Sequence, residues 1–139
     1  MCIRDSCKLA IVETKARGEE LVARLEERIK DFDAEISIHI NGCPNACART
    51  QVADIGLKGM LVMNDHGQQV EGFQIHLGGG LGMAQGQTAG FGRKVRGLKA
   101  TAEELPEYVE RLARRYLEGR TSGEAFADWV VRADEELLT

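Results

Sequence analysis

The feature that most constrains this chain is a pair of strand-like runs on either side of one turn. Residues 52–63, VADIGLKGMLVM, read as a strand. Residues 68–77 alternate, with Phe73, Ile75 and Leu77 opposing Gln74 and His76. Between them stand Asn64, Asp65, His66 and Gly67. Asn and Asp bond their own backbone and Gly reaches positive φ, so this cluster is a turn. Two such runs about a turn predict an antiparallel hairpin.

Other segments supply what packs with it. Residues 34–40, AEISIHI, set Ile36, Ile38 and Ile40 against Ser37 and His39, the period of a half-buried strand. Residues 9–31 read as a helix with Leu21, Leu25 and Ile29 on its stripe, Val22 and Phe32 beside it, and Glu19, Glu20, Arg24, Glu26, Glu27 and Arg28 opposite. Gly18 costs that helix roughly 1 kcal/mol relative to alanine, leaving room for a kink or a second start. Near the C-terminus, Thr101 and Glu104 are spaced as a capping box, and a helix start at Pro106 fits equally. Val109, Leu112, Ala113 and Tyr116 form its stripe and Gly119 a stop. Thr121 and Glu124 offer a second box before Phe126, Trp129, Val130 and Ala133. The order helix, strand, loop, hairpin, loop, helices predicts an α+β fold, with helices packed on a small mixed or antiparallel sheet. With 139 residues, 43% of them hydrophobic, one domain is expected.

Charge and hydropathy remove several classes. The formal net charge is -4, the wrong sign for a nucleic-acid binder. No apolar run approaches the ~18 residues of a membrane span, and the first residues lack the build of a signal peptide. A cytoplasmic location follows as the expectation. Thiols there stay reduced, so the four cysteines point to metal or redox chemistry before structural disulfides.

Cys43 and Cys47 come directly after the strand at 34–40, in NGCPNACAR. Gly42, Pro44 and Asn45 make this segment a turn. A C-x3-C spacing is permitted for zinc but not typical. His39, His66 and His76 are dispersed and read as surface or hydrogen-bonded side chains. A thioredoxin-type site needs C-x2-C at a helix start. Two cysteines can also be small buried hydrophobes. Turn cysteines after a strand can instead direct both thiolates at one object, and an iron–sulfur cluster fits that geometry with four thiolates. Cys7, at the start of the first predicted helix, is a candidate third, its thiolate favoured by the helix N-terminus. The glycine-rich stretch 78–97 misses G-x-G-x-x-G by one residue and lacks a Walker lysine, so a nucleotide site is not expected.

The G-C-x3-C motif followed by Asp54, Ile55, Gly56 and Leu57 resembles the signature of the siroheme-dependent sulfite and nitrite reductases. The resemblance continues through KLAIVETKARG, the hairpin, HLGGGLG and the helical end. It implies that Cys7, Cys43 and Cys47 ligate a 4Fe-4S cluster, with Cys47 also bridging to the siroheme iron as the catalytic cysteine. Asn41, Asn45 and Arg49 would contact the tetrapyrrole or its carboxylates; Asn41 stands where the family usually has Thr or Ser. Gly78, Gly79 and Gly80 would let backbone approach the siroheme rim. Arg93, Lys94 and Arg96 would pair with peripheral carboxylates or with a ferredoxin's acidic face, or else be solvated. The family's first ligand falls on Met1, and Cys2 is the fourth thiolate available. Residues 1–6 are therefore expected to be foreign to the pattern, with residues 7–139 the cluster- and siroheme-binding domain, a truncated C-terminal half.

The implied function is part of a sulfite reductase making sulfide, or of a nitrite reductase making ammonia, inactive alone. Its partners would be the N-terminal half of the same enzyme, a ferredoxin or similar donor, and the anion. Two further readings stand beside it: a non-catalytic iron–sulfur or zinc module, and a thiol–disulfide switch on Cys43 and Cys47.

Overall fold

A computed structural model describes residues 2–4 (by backbone alone), 10–30, 32–81, 90–92 and 97–139. Its elements are β1 (Cys2–Arg4), α1 (Lys15–Arg28), β2 (Ile38–Asn41), a single 3-10 turn (Thr50–Val52), β3 (Ile55–Met63), β4 (Gln69–Leu77), β5 (Lys99–Thr101), α2 (Leu105–Gly119), α3 (Phe126–Arg132) and α4 (Glu135–Leu138). The five strands lie in sequence order. β1, β2 and β3 run parallel; β3, β4 and β5 run antiparallel. The sheet is mixed and carries helices, an α+β fold as the pattern predicted.

The expected hairpin forms, in a register that runs from Met63 opposite Gln69 to Ile55 opposite Leu77. Asn64 Oδ1 closes its turn, accepting from the N–H of His66 at 3.0 Å and of Gln68 at 2.9 Å. Pairing sets Ile38 beside Ile55 and Leu77, and Ile40 beside Leu57 and Ile75. These residues share one face, which meets Leu21, Leu105, Val109, Leu112 and Tyr116 from α1 and α2 in a continuous core. Tyr116 stacks edge-on with Phe126 at 5.3 Å and Trp129 at 5.7 Å, fastening α3 to α2. Arg24 Nε reaches Glu110 Oε2 at 3.2 Å and links α1 to α2.

Several boundaries differ from expectation. The first helix begins at Lys15, not at residue 9, because the Glu13 carboxylate accepts the N–H of Lys15 and Ala16 at 3.1 and 2.7 Å. Gly18 is buried inside α1 and starts nothing new. The strand at 34–40 shrinks to Ile38–Asn41, and the run from 52 starts its strand at Ile55. The three-residue strands β1 and β5 are too short to show a period. Thr101 and Glu104 make both capping-box bonds, at 3.1 and 3.2 Å, but close a turn ahead of a helix starting at Leu105. Thr121 N–H donates to Glu124 Oε2 at 3.0 Å in the same manner, ahead of α3.

Candidate metal and cofactor site

Parallel neighbours need a crossover of a dozen or so residues, usually helical. Between β2 and β3 that crossover is residues 42–54, and it carries both turn cysteines. Its C-terminal end is tied to the start of β2. Asp54 Oδ2 accepts from Ser37 N–H at 2.8 Å and Ser37 Oγ–H at 2.9 Å, and Asp54 N–H donates to Ser37 Oγ at 3.0 Å. Burial pushes the Asp54 carboxyl above its ordinary pKa; the Ser37 bonds and the charge of His39 oppose the rise. No spacing rule links Ser37 to Asp54, so the sequence does not show this clamp.

Above the base, Asn41 organises the cysteine turn from inside. Its Oδ1 accepts the Ala48 N–H at 3.1 Å, and its Nδ2 donates to the Cys43 carbonyl at 2.7 Å. Nδ2 also lies 3.7 Å from Cys43 Sγ. Both halves of the amide are engaged and Asn41 is 3% exposed, so it is a brace of the turn, where the resemblance made it a tetrapyrrole contact. Cys43 is buried, while Cys47 is exposed. Ala46 and Arg49 hold φ of 54° and 53°, left-handed values costing on the order of 1 kcal/mol each without glycine. The strain flanks Cys47. Arg49 and Asn45 are exposed on the same turn. His39 Nδ1 lies 3.3 Å from the Arg49 carbonyl, the hydrogen-bonded role expected of it.

The glycine-rich stretch joins this turn. Gly78, Gly79 and Gly92 donate their N–H to the carbonyls of Asp54, Ala53 and Gln51 at 2.8, 2.9 and 2.5 Å. A Cβ on Gly79 would stand 2.3 Å from Gln51 O, and one on Gly78 would stand 2.9 Å from Val130 Cγ1. The structure thus gives both glycines an internal reason, close approach of chain to chain. Gly80 and Gly90 pair in an isolated antiparallel bridge. His76 lies on the sheet face that alternation assigns it, yet it is 7% exposed, because Gln51 and Gly92 cover that face. His66 is exposed.

Cys7, the Cys2 side chain, Arg93, Lys94 and Arg96 lie outside the described residues. The helix end expected beside Cys7 falls at Lys15. Among the described residues no three His, Cys, Asp or Glu side chains converge, and Cys43 and Cys47 stand on one turn. Two cysteine sulfurs on one strained turn, with a side-chain N–H beside the buried one, fit a thiolate-bound soft metal group. Among the described residues no helix is long and apolar enough to cross a membrane.

Fold and turn together define a class: a small α+β domain whose strained parallel crossover presents cysteine sulfur. Residues 4–138 match the family model of the nitrite and sulphite reductase 4Fe-4S domain, and the chain belongs to that family. It is 57% identical over 138 residues to "Sulfite reductase (ferredoxin) 1" of Mycolicibacterium paratuberculosis, covering 96% of this chain and 24% of that protein. "Ferredoxin--nitrite reductase" of Synechococcus elongatus is 41% identical over 106 residues, 76% of this chain and 19% of that protein. The solved structure of the Mycobacterium tuberculosis NirA protein superposes with a TM-score of 0.83 at 49% identity, over 96% of this chain and 24% of that one. The chain thus spans about a quarter of the length of relatives it matches from end to end.

Proposed function

We propose that this chain is the part of a ferredoxin-dependent sulfite reductase that holds a 4Fe-4S cluster and, through Cys47, its siroheme. The observation that carries the reading is the braced C-x3-C turn, with Cys43 buried and Cys47 exposed on a crossover whose C-terminal end the Ser37–Asp54 clamp holds. Cys43 and Cys47 supply two thiolates; Cys7 and Cys2 are assigned the other two. Bound together, the cluster and siroheme supply the redox chemistry of multi-electron oxyanion reduction. The chain's own residues hold and orient. Left-handed backbone at Ala46 and Arg49 fixes the direction of the exposed Cys47. Asn45 and the Arg49 guanidinium, exposed on the same turn, face solvent where macrocycle carboxylates can be met. Gly78 and Gly79 carry the glycine loop up to the turn.

The rest of the reductase, a ferredoxin and the anion are the partners proposed, with a cytoplasmic location. Sulfite is favoured over nitrite because the sulfite reductase relative is both more similar and matched over more of the chain. Anaerobic reconstitution with iron, sulfide and siroheme tests the assignment. Near-stoichiometric cluster, a broad visible absorbance beside a tetrapyrrole band, and loss of both in Cys43→Ser and Cys47→Ser are expected. A colourless zinc-loaded chain, or reversible Cys43–Cys47 oxidation with no metal uptake, refutes it.

A further inference from the structure

We infer that Asn41 is a positioning residue that also tunes the cluster, donating a side-chain N–H to the sulfur of Cys43. The inference rests on the cluster reading above. Its geometric basis is in the turn itself. A carboxamide has two N–H donors on Nδ2 and an acceptor oxygen. Here Oδ1 meets the Ala48 N–H at 3.1 Å, and Nδ2 meets the Cys43 carbonyl at 2.7 Å and the Cys43 sulfur at 3.7 Å. The orientation of the amide is fixed by its neighbours. Flipped, it would press NH2 against the Ala48 N–H and oxygen against the Cys43 carbonyl. The N–H facing the sulfur therefore follows from the other two bonds.

The surrounding backbone sharpens the point. Pro44 has no N–H, and the Ala48 N–H is taken by Asn41. The residues that follow each cysteine thus offer no free backbone N–H to sulfur, and a side chain occupies the place beside Cys43. Asn41 and Cys43 are 3% and 6% exposed, so water competes little for that bond. A hydrogen bond to a ligating thiolate stabilises the more negative, reduced cluster and raises its potential. A shorter hydroxyl at this position can accept from Ala48 but falls short of the sulfur.

The test is a dithionite titration, followed by electron paramagnetic resonance, of the chain reconstituted with iron and sulfide. Asn41→Leu is compared with wild type, and Asn41→Thr serves as the variant that keeps one bond of the brace. Both variants are expected to lower the reduced-to-oxidised ratio at fixed potential on the order of tenfold, about 59 mV for a one-electron couple. Melting of the metal-free chain should fall more for Leu than for Thr. A wild type that loads a cluster and shares its potential with both variants overturns the tuning role while leaving the cluster reading intact. A wild type that takes up no cluster removes the cluster reading, and this inference with it.

Discussion

The two faces of the sheet are built on opposite terms. Toward the helices, Ile38, Ile40, Ile55, Leu57, Phe73, Ile75 and Leu77 present side chains to the core. Toward the cysteine crossover the same strands turn polar side chains and glycine, with His39, Gly56 and His76 in one row. Gly56 sits where a Cβ would stand 1.9 Å from Thr50 O, and Gly79 and Gly92 approach Gln51 as closely as backbone allows. The helix face is held by apolar burial in a packed core, where side-chain volume sets the energy. The crossover face is held by N–H to C=O bonds between loops, which admit no added atom. Stability and site geometry thus reside on different sides of one sheet.

The largest effect tests that separation on the helix side. Trp129 is almost fully buried against Tyr116 and Phe126. Trp129→Ala should cost about 3–5 kcal/mol, read by thermal or urea unfolding. Below its melting temperature the variant should still load iron and sulfide as wild type does. Loss of loading in the folded variant would show that the two faces are one unit.

A smaller change in energy with a larger change at the site is expected from Gly56→Ala. Its Cβ would collide with the Thr50 carbonyl, which is backbone and cannot swing aside. The cost is about 1–3 kcal/mol of overpacking. The shift must pass into the crossover, so cluster loading should fall further than the stability loss alone explains. Equal loading in Gly56→Ala and wild type would show that the crossover tolerates displacement.

This division also decides what was legible. Side-chain periodicity is a property of the helix face, so the hairpin and the stripe of α2 could be read from residues such as Phe73, Ile75, Val109 and Leu112. The cysteine turn was legible because Gly42, Pro44 and Asn45 mark a turn and Cys spacing is rare enough to be specific. The brace was not. The resemblance marks Asn41 as a tetrapyrrole contact, and only its bonds to Cys43 and Ala48 reveal the brace. His76 has the alternation of a solvent-facing residue, and a loop from elsewhere in the chain buries it. Ser37 and Asp54 meet only because β2 and β3 are parallel neighbours, a fact of tertiary pairing that neither residue announces.

The Ser37–Asp54 clamp gives the smallest effect and the finest test of the comparison, since it belongs to the crossover yet acts through charge. Burial holds the Asp54 carboxyl above its ordinary value; the two Ser37 donors and His39 pull it down, and Glu35 adds to the rise. In the unfolded chain this carboxyl titrates near the usual ~3.9. Between that pH and the raised folded value, the folded chain keeps a proton that the unfolded chain has released. Unfolding then releases a proton, and stability from this group falls as pH rises through the window. Asp54→Asn keeps an acceptor for Ser37 and removes the ionisation. Urea unfolding from pH 4 upward should therefore show a shallower decline for Asp54→Asn than for wild type, with the curves closest at the acid end. Parallel curves would mean that water reaches the clamp, and that the base of the crossover is less secluded than the helix face opposite.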